Sequence, residues 1–252
     1  MWAAVMDGDA KKLAELMKKD PGFDVNEDQL GDGDTLLHYA CDWDRRSVIP
    51  LLLAHPDIDV NVRGRYAETP FYRACNGYTS CVREMLKDSR VKVNEPNQHG
   101  YTPLYWAAWY GHLDVIKWLI ASGREMDLGT PGNFGTDVIG AAMENDRTEV
   151  VTLLEKFKSD AVKTRSEVRL EIGWYNEAAE MFAMVVFVSD GLLKTKATGV
   201  KARAKRTRFF NIASQLPLEL QMVLCYRVVQ SAKEIIPGKE SEVAFQELAM
   251  KI

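Results

Sequence analysis

GYTPLYWAAWYGHLDVIKWLIASG, residues 100–123, is the stretch that decides the fold. Thr102 stands where a helix can be capped, and Pro103 is tolerated in the first turn that follows. A short apolar helix comes next, with Ala107 and Ala108 on the face that must pack closely. Gly111 and His112 make a turn, and LDVIKWLIASG then repeats apolar residues at helical spacing. A helix pair this short cannot bury its apolar face alone, so it needs neighbours stacked against it.

The neighbours are in the sequence. Thr35 opens TLLHYACDWD, Thr69 opens TPFYRACNGY and Thr136 opens TDVIGAAMEND, so the four threonines lie 34, 33 and 34 residues apart. A second marker runs in step. Asn26, Asn61, Asn94 and Asp127 close the segments FDVN, IDVN, VKVN and EMD, at spacings of 35, 33 and 33. The small pairs Ala40 and Cys41, Ala74 and Cys75, and Ala141 and Ala142 match Ala107 and Ala108. Two independent markers with one period indicate a solenoid of helix–turn–helix units.

On these residues the segment 100–123 resembles an ankyrin repeat, and the resemblance extends over residues 2–158. The opening WAAVMDGDAKKLAELMKKDPGFDVN resembles a unit entered at its first helix, which would cap the array. Two departures stand out. Pro50 falls in the second helix of its unit and should kink or delay it. The 136–157 unit has one extra residue before EVVTLL and lacks the Pro and Gly landmarks, as a capping repeat would. The expected fold is all-α: an ankyrin-repeat solenoid with hairpin loops, followed by a helical C-terminal region. The divisions are 1–158 for the repeats (an N-terminal partial unit plus about four more), 159–193 for capping helices, 194–208 for a basic linker and 209–252 for a last helical segment.

The resemblance implies a protein-binding concave surface made of hairpin tips and the exposed side of each first helix. Those places hold Asp32, Asp34, Asp42 and Trp43, then Arg65, Tyr66, Glu68 and Asn76, then Gln98, His99, Tyr101, Trp109 and Tyr110. Exposed aromatics among charges suit binding anchors, since they bury large area at little rotamer cost. Tyr66, Tyr101, Trp109 and Tyr110 are the leading candidates, although Trp109 and Tyr110 could instead pack between first helices. Trp106 and Trp118 are expected in the core. His38 occupies the place where the family puts a histidine that braces neighbouring loops, and His112 belongs to the turn. His55 and His99 have no acidic or Cys companion at metal-ligand spacing.

Beyond residue 158 the repeat stops. AVKTRSEVRLEI and, after Gly173, WYNEAAEMFAMVVFVSDGLL read as helix, with an apolar octet suited to covering the last unit. Between Lys194 and Arg208 every charge is positive, including Lys201, Arg203, Lys205, Arg206 and Arg208. That run is a possible anion-binding or nuclear-localisation segment. With no aromatic interleaved to stack on bases, a solvated linker is the simpler reading and a nucleic-acid partner is disfavoured. Leu216, Pro217, Glu219, Leu220 and Leu224 resemble the opening of an F-box, which would imply a ubiquitin-ligase adaptor as the alternative to a plain binding scaffold.

Composition limits the remaining classes. Residues 1–160 carry 18 Lys/Arg against 26 Asp/Glu, a net of −8, while residues 161–252 carry 14 against 10, a net of +4. An acidic array should steer a basic partner. The longest apolar run, Met181 to Val188, is too short to span a bilayer, and the start of the chain shows no secretory pattern, so an intracellular monomer is expected. Four cysteines without paired spacing read as free thiols. No phosphate-binding glycine loop, HExxH or GxSxG occurs, so neither catalysis nor a cofactor or metal is expected.

Overall fold

A computed structural model describes residues 1–28, 30–129 and 135–174. The chain divides into two compact units, Met1–Val168 and Arg169–Ile252. The described residues of the first form five helix pairs: α1 (Trp2–Met6) with α2 (Ala10–Lys19), α3 (Leu36–Asp42) with α4 (Ile49–Leu53), α5 (Pro70–Ala74) with α6 (Thr79–Leu86), α7 (Pro103–Tyr110) with α8 (Leu113–Ser122), and α9 (Val138–Glu144) with α10 (Thr148–Ser159). Helix α11 (Ala161–Glu171) follows. First helices stack on first helices and second on second, and the described residues contain no strand.

The threonine marker is a set of caps. Thr69 Oγ1 accepts from Tyr72 N at 3.1 Å, and Thr102 Oγ1 accepts from Tyr105 N at 3.2 Å. The fourth unit differs. Its cap is Asp137, one residue after the expected Thr136, with the carboxylate accepting from Gly140 N at 2.7 Å. That shift accounts for the extra residue. Two positions before each cap the backbone is left-handed: Gly33, Ala67, Gly100 and Gly135 have φ of 88°, 56°, 80° and 78°. Only the second unit meets this turn without glycine.

The asparagine marker is an inter-unit clamp. Asn26 Nδ2 donates to Asp57 O (2.7 Å) while its Oδ1 accepts from Asp59 N (2.9 Å). Asn61 does the same with Arg90 O and Lys92 N, and Asn94 with Glu125 O and Asp127 N. Both arms of one amide are needed, which is why Asn recurs here. The small-residue pairs at 40–41, 74–75, 107–108 and 141–142 are wholly buried where neighbouring first helices meet.

Pro50 delays its helix. α4 starts only at Ile49, with Pro50 in its first turn, and runs five residues against eight for α6 and ten for α8. Arg124 donates to the carbonyls of Leu86, Asp88 and Val91 at 3.2, 2.6 and 2.7 Å, satisfying groups left open past the end of α6. At the far end, Arg165 on α11 donates to Ile120 O at 3.1 Å, and its guanidinium lies 5.8 Å from the Phe157 ring centroid. In the second unit the described residues end α11 in a turn, with Trp174 N donating to Arg169 O.

Cys41, Cys75 and Cys81 are free and buried, and burial pushes their thiols well above the ordinary range, so they behave as small core residues. The expectations for Cys225, the basic run 194–208, its residues Lys201, Arg203, Lys205, Arg206 and Arg208, and the F-box-like helix lie outside the described residues.

Candidate functional site

Two hairpin loops and three first helices meet around a cleft of about 600 Å³, lined by Asp42, Tyr66, Glu68, Tyr72, Arg73, Asn76, Asn97, His99, Tyr101 and Trp106. The loops are built locally. Gly64 N donates to Glu68 O at 2.9 Å and Asn97 N to Tyr101 O at 2.9 Å, closing each hairpin. Gln98 N then donates to Tyr66 O at 2.8 Å, tying the two loop tips together. Tyr66 sits at φ 59°, a left-handed conformation that ordinary residues rarely adopt. Its side chain is 53% exposed.

The cap-plus-three position of each first helix fixes the loop of the next unit. His38 Nδ1 accepts from Thr35 N at 3.0 Å, so its proton is on Nε2, which donates to Glu68 O at 3.0 Å. His38 thus braces the loops as the resemblance implied. Tyr72 does the equivalent through its hydroxyl, which accepts from Asn97 Nδ2 at 3.0 Å, and Tyr105 OH lies 3.3 Å from Thr136 Oγ1.

At the centre of the cleft chemistry is Arg73. Its Nε is 2.7 Å from Glu68 Oε2, one terminal nitrogen is 3.2 Å from Asp42 Oδ2, and the other is 3.4 Å from Asp34 Oδ2. Three carboxylates thus share one guanidinium. Burial raises the Asp42 and Glu68 carboxyls, and Arg73 only partly offsets it. Asp32 is paired separately with Arg65 at 2.8 Å and accepts from Tyr39 OH at 3.0 Å.

Of the thirteen residues picked out for the concave surface, Asp42, Tyr66, Glu68, Asn76, His99 and Tyr101 line this cleft. Tyr101 requires a correction. It is buried, its ring stacked on Tyr105 at 4.7 Å, and it forms part of the lining and not an exposed anchor. Arg65 is exposed and engaged with Asp32. Trp43 and Tyr110 are exposed outside the lining, at 55% and 45%. Trp109 is half-buried, its ring 6.2 Å from Tyr105 and its carbonyl accepting from Arg147 Nε at 3.3 Å.

Trp106 and Trp118 also depart from expectation, since both are half-buried and neither fills the core. Trp118 lies under the Arg83 guanidinium, 4.5 Å from its ring centroid. Trp106 lines the cleft, with ring centroids 6.0 Å from Tyr72, 6.4 Å from Tyr101 and 4.8 Å from Tyr110. Trp106, Tyr72, Arg73 and Asn97 are site residues that sequence reading missed. One signal was available: Trp106 precedes Tyr110 by four positions, so the two share a helix face.

Among the described residues no group of three or more His, Cys, Asp or Glu could hold a metal ion, and no helix is long and apolar enough to cross a membrane. The geometry is that of a surface cleft rimmed by aromatics and carboxylates. Comparison with known proteins gives the family. A three-copy ankyrin-repeat family model matches residues 57–130, and a single ankyrin-repeat model matches residues 32–62.

Over residues 32–130 the chain is an ankyrin-repeat protein. As such it is a protein–protein interaction module. It is similar to SMC5-SMC6 complex localization factor protein 1 of Bos taurus and of Homo sapiens, each 31% identical over 149 residues, which is 56% of this chain. It spans 14% of the length of those two relatives. A putative ankyrin repeat protein of fowlpox virus, FPV031, is 27% identical over 124 residues, 47% of this ankyrin-repeat chain and 36% of the viral protein.

Proposed function

We propose that this ankyrin-repeat protein is a non-enzymatic recognition module that binds a partner protein across its concave surface, the face carrying Tyr66, Trp106 and Tyr110. The observation that carries this reading is the aromatic cluster of Trp106 and Tyr110 beside Tyr66 and the Arg73 carboxylates. Large aromatics bordering a charged cleft are what binding hot spots use, because each buries much area while its polar neighbours fix orientation. The names of the bovine and human relatives describe localisation of a complex. A recognition module of this kind would serve such a role by holding one protein where another is, with no chemistry of its own.

The test is affinity capture with the full chain in two forms, wild type and Tyr66→Ala with Tyr110→Ala. Both side chains are about half exposed, so the double variant should melt close to wild type. Partners retained by wild type and lost by the double variant support the concave face. Identical partners for both forms would refute it.

A further inference from the structure

The cleft between the second and third hairpins combines three properties that together select a ligand chemistry. The first is an imbalance of charge. Among the described residues Arg73 is the guanidinium in ion-pair contact with Asp34, Asp42 and Glu68, at 3.4, 3.2 and 2.7 Å, which leaves that cluster two negative charges over. Asp34 is nearly sealed, its side chain 4% exposed, and it also accepts from Arg65 N at 2.8 Å. Asp42 and Glu68 remain reachable at 25% and 12%, and both line the cleft. An incoming cation would meet them without any rearrangement of the loops.

The second property is the aromatic lining. Tyr66, Tyr101 and Trp106 face the same space, and aromatic faces attract cations most strongly where water is partly excluded. The third is size. About 600 Å³ is far more than a bare ion needs and suits a long side chain with the backbone around it. An anionic group would be repelled by the carboxylates, and a purely apolar side chain would leave them desolvated and unmatched.

Resting on the concave-face reading above, we propose that this cleft receives the cationic side chain, lysine or arginine, of an extended segment of the partner protein. The cation sits against the Asp42 and Glu68 carboxylates, and its aliphatic stem packs on Trp106 and Tyr66. Asn97 is spent on Tyr72, so the side-chain charge, and not a backbone contact at that amide, sets the selectivity.

The probes are four acetylated, amidated pentapeptides of sequence Gly-Ser-X-Ser-Gly, in which X is lysine, arginine, norleucine or glutamate. Each is titrated into the full chain while the indole N–H resonance of Trp106 is followed by NMR. The lysine or arginine peptide is expected to shift that resonance saturably, and the norleucine and glutamate peptides are not. Asp42→Asn with Glu68→Gln should weaken the saturable binding at least tenfold, and so should Tyr66→Ala, which removes a half-exposed ring. Trp43→Ala, outside the cleft, should leave it unchanged. No saturable shift with either cationic peptide, an equal shift with norleucine or glutamate, or unchanged binding in the double variant would overturn the proposal. If the captured partner is lost with Tyr66→Ala and Tyr110→Ala but kept with Asp42→Asn and Glu68→Gln, the cation pocket is wrong while the concave face stands.

Discussion

His38 Nε2 lies 3.0 Å from the carbonyl oxygen of Glu68, so the first helix of one unit holds the hairpin of the next in place. The same hairpin carries Glu68 and Tyr66 into the cleft. Site and scaffold therefore share a bond.

His38 is fully buried, and burial holds its pKa below the usual 6.5. The folded protein binds that proton less readily than the unfolded chain. The associated stability is complete above 6.5 and is lost as pH falls through the histidine range. Asp42 and Glu68 act with the opposite sign, because their raised pKa favours the folded state on acidification, but only in the lower carboxylate range. The melting temperature should accordingly drop between about pH 7.5 and about pH 5.5, the span in which histidine titrates. His38→Gln should flatten that slope, and an unchanged slope would show that His38 is not its source.

Arg73→Met leaves Asp34, Asp42 and Glu68 facing one another without their cation. The cost should be about 2–3 kcal/mol at neutral pH, below the figure for a fully buried pair because Arg73 is partly exposed. Lowering the pH protonates the carboxylates, so the deficit should shrink. Urea titrations at two pH values would check both statements.

Ala67 adopts φ 56° where the other units place glycine. A left-handed backbone costs an L-residue about 1–2 kcal/mol, against about 0.5–1 kcal/mol for the extra chain entropy of glycine. Ala67→Gly should stabilise the protein by roughly 0.5–1 kcal/mol, and Gly100→Ala should destabilise it by a similar amount. Equal denaturation midpoints for the three forms would disprove the turn argument.

Asn61→Ala removes both a donor and an acceptor between units, and should cost about 1–2 kcal/mol in chemical denaturation. Asn61→Asp keeps the acceptor to Lys92 N but loses the donor to Arg90 O, so it should fall between the two. A variant as stable as wild type would remove the clamp from the account.

The repeating fold was legible because two kinds of bond recur with the unit. Thr69 and Thr102 cap helices, and Asn26, Asn61 and Asn94 clamp loops, so each leaves a mark at the period. The cap at Asp137 was not legible, because Thr136 preserves the threonine spacing while the helix enters one residue later. The cleft was half legible. Hairpin-tip positions gave Tyr66, Glu68 and His99, but burial of Tyr101 depends on its stacking against Tyr105, and the role of Arg73 depends on carboxylates 31 and 39 residues away. A tryptophan just before a pair of small core residues, as Trp106 is before Ala107 and Ala108, reads as core until the helix face of Tyr110 is followed back one turn.

The most direct measurement places a photo-crosslinking amino acid at Tyr66, at Tyr110 or at Asp114 in the full chain, with adducts formed in cells and identified by mass spectrometry. Asp114 is exposed on α8, a second helix away from the cleft lining. The account predicts one shared protein adduct from Tyr66 and Tyr110 and none from Asp114. Adducts from Asp114 alone would place the binding surface on the second helices and contradict it.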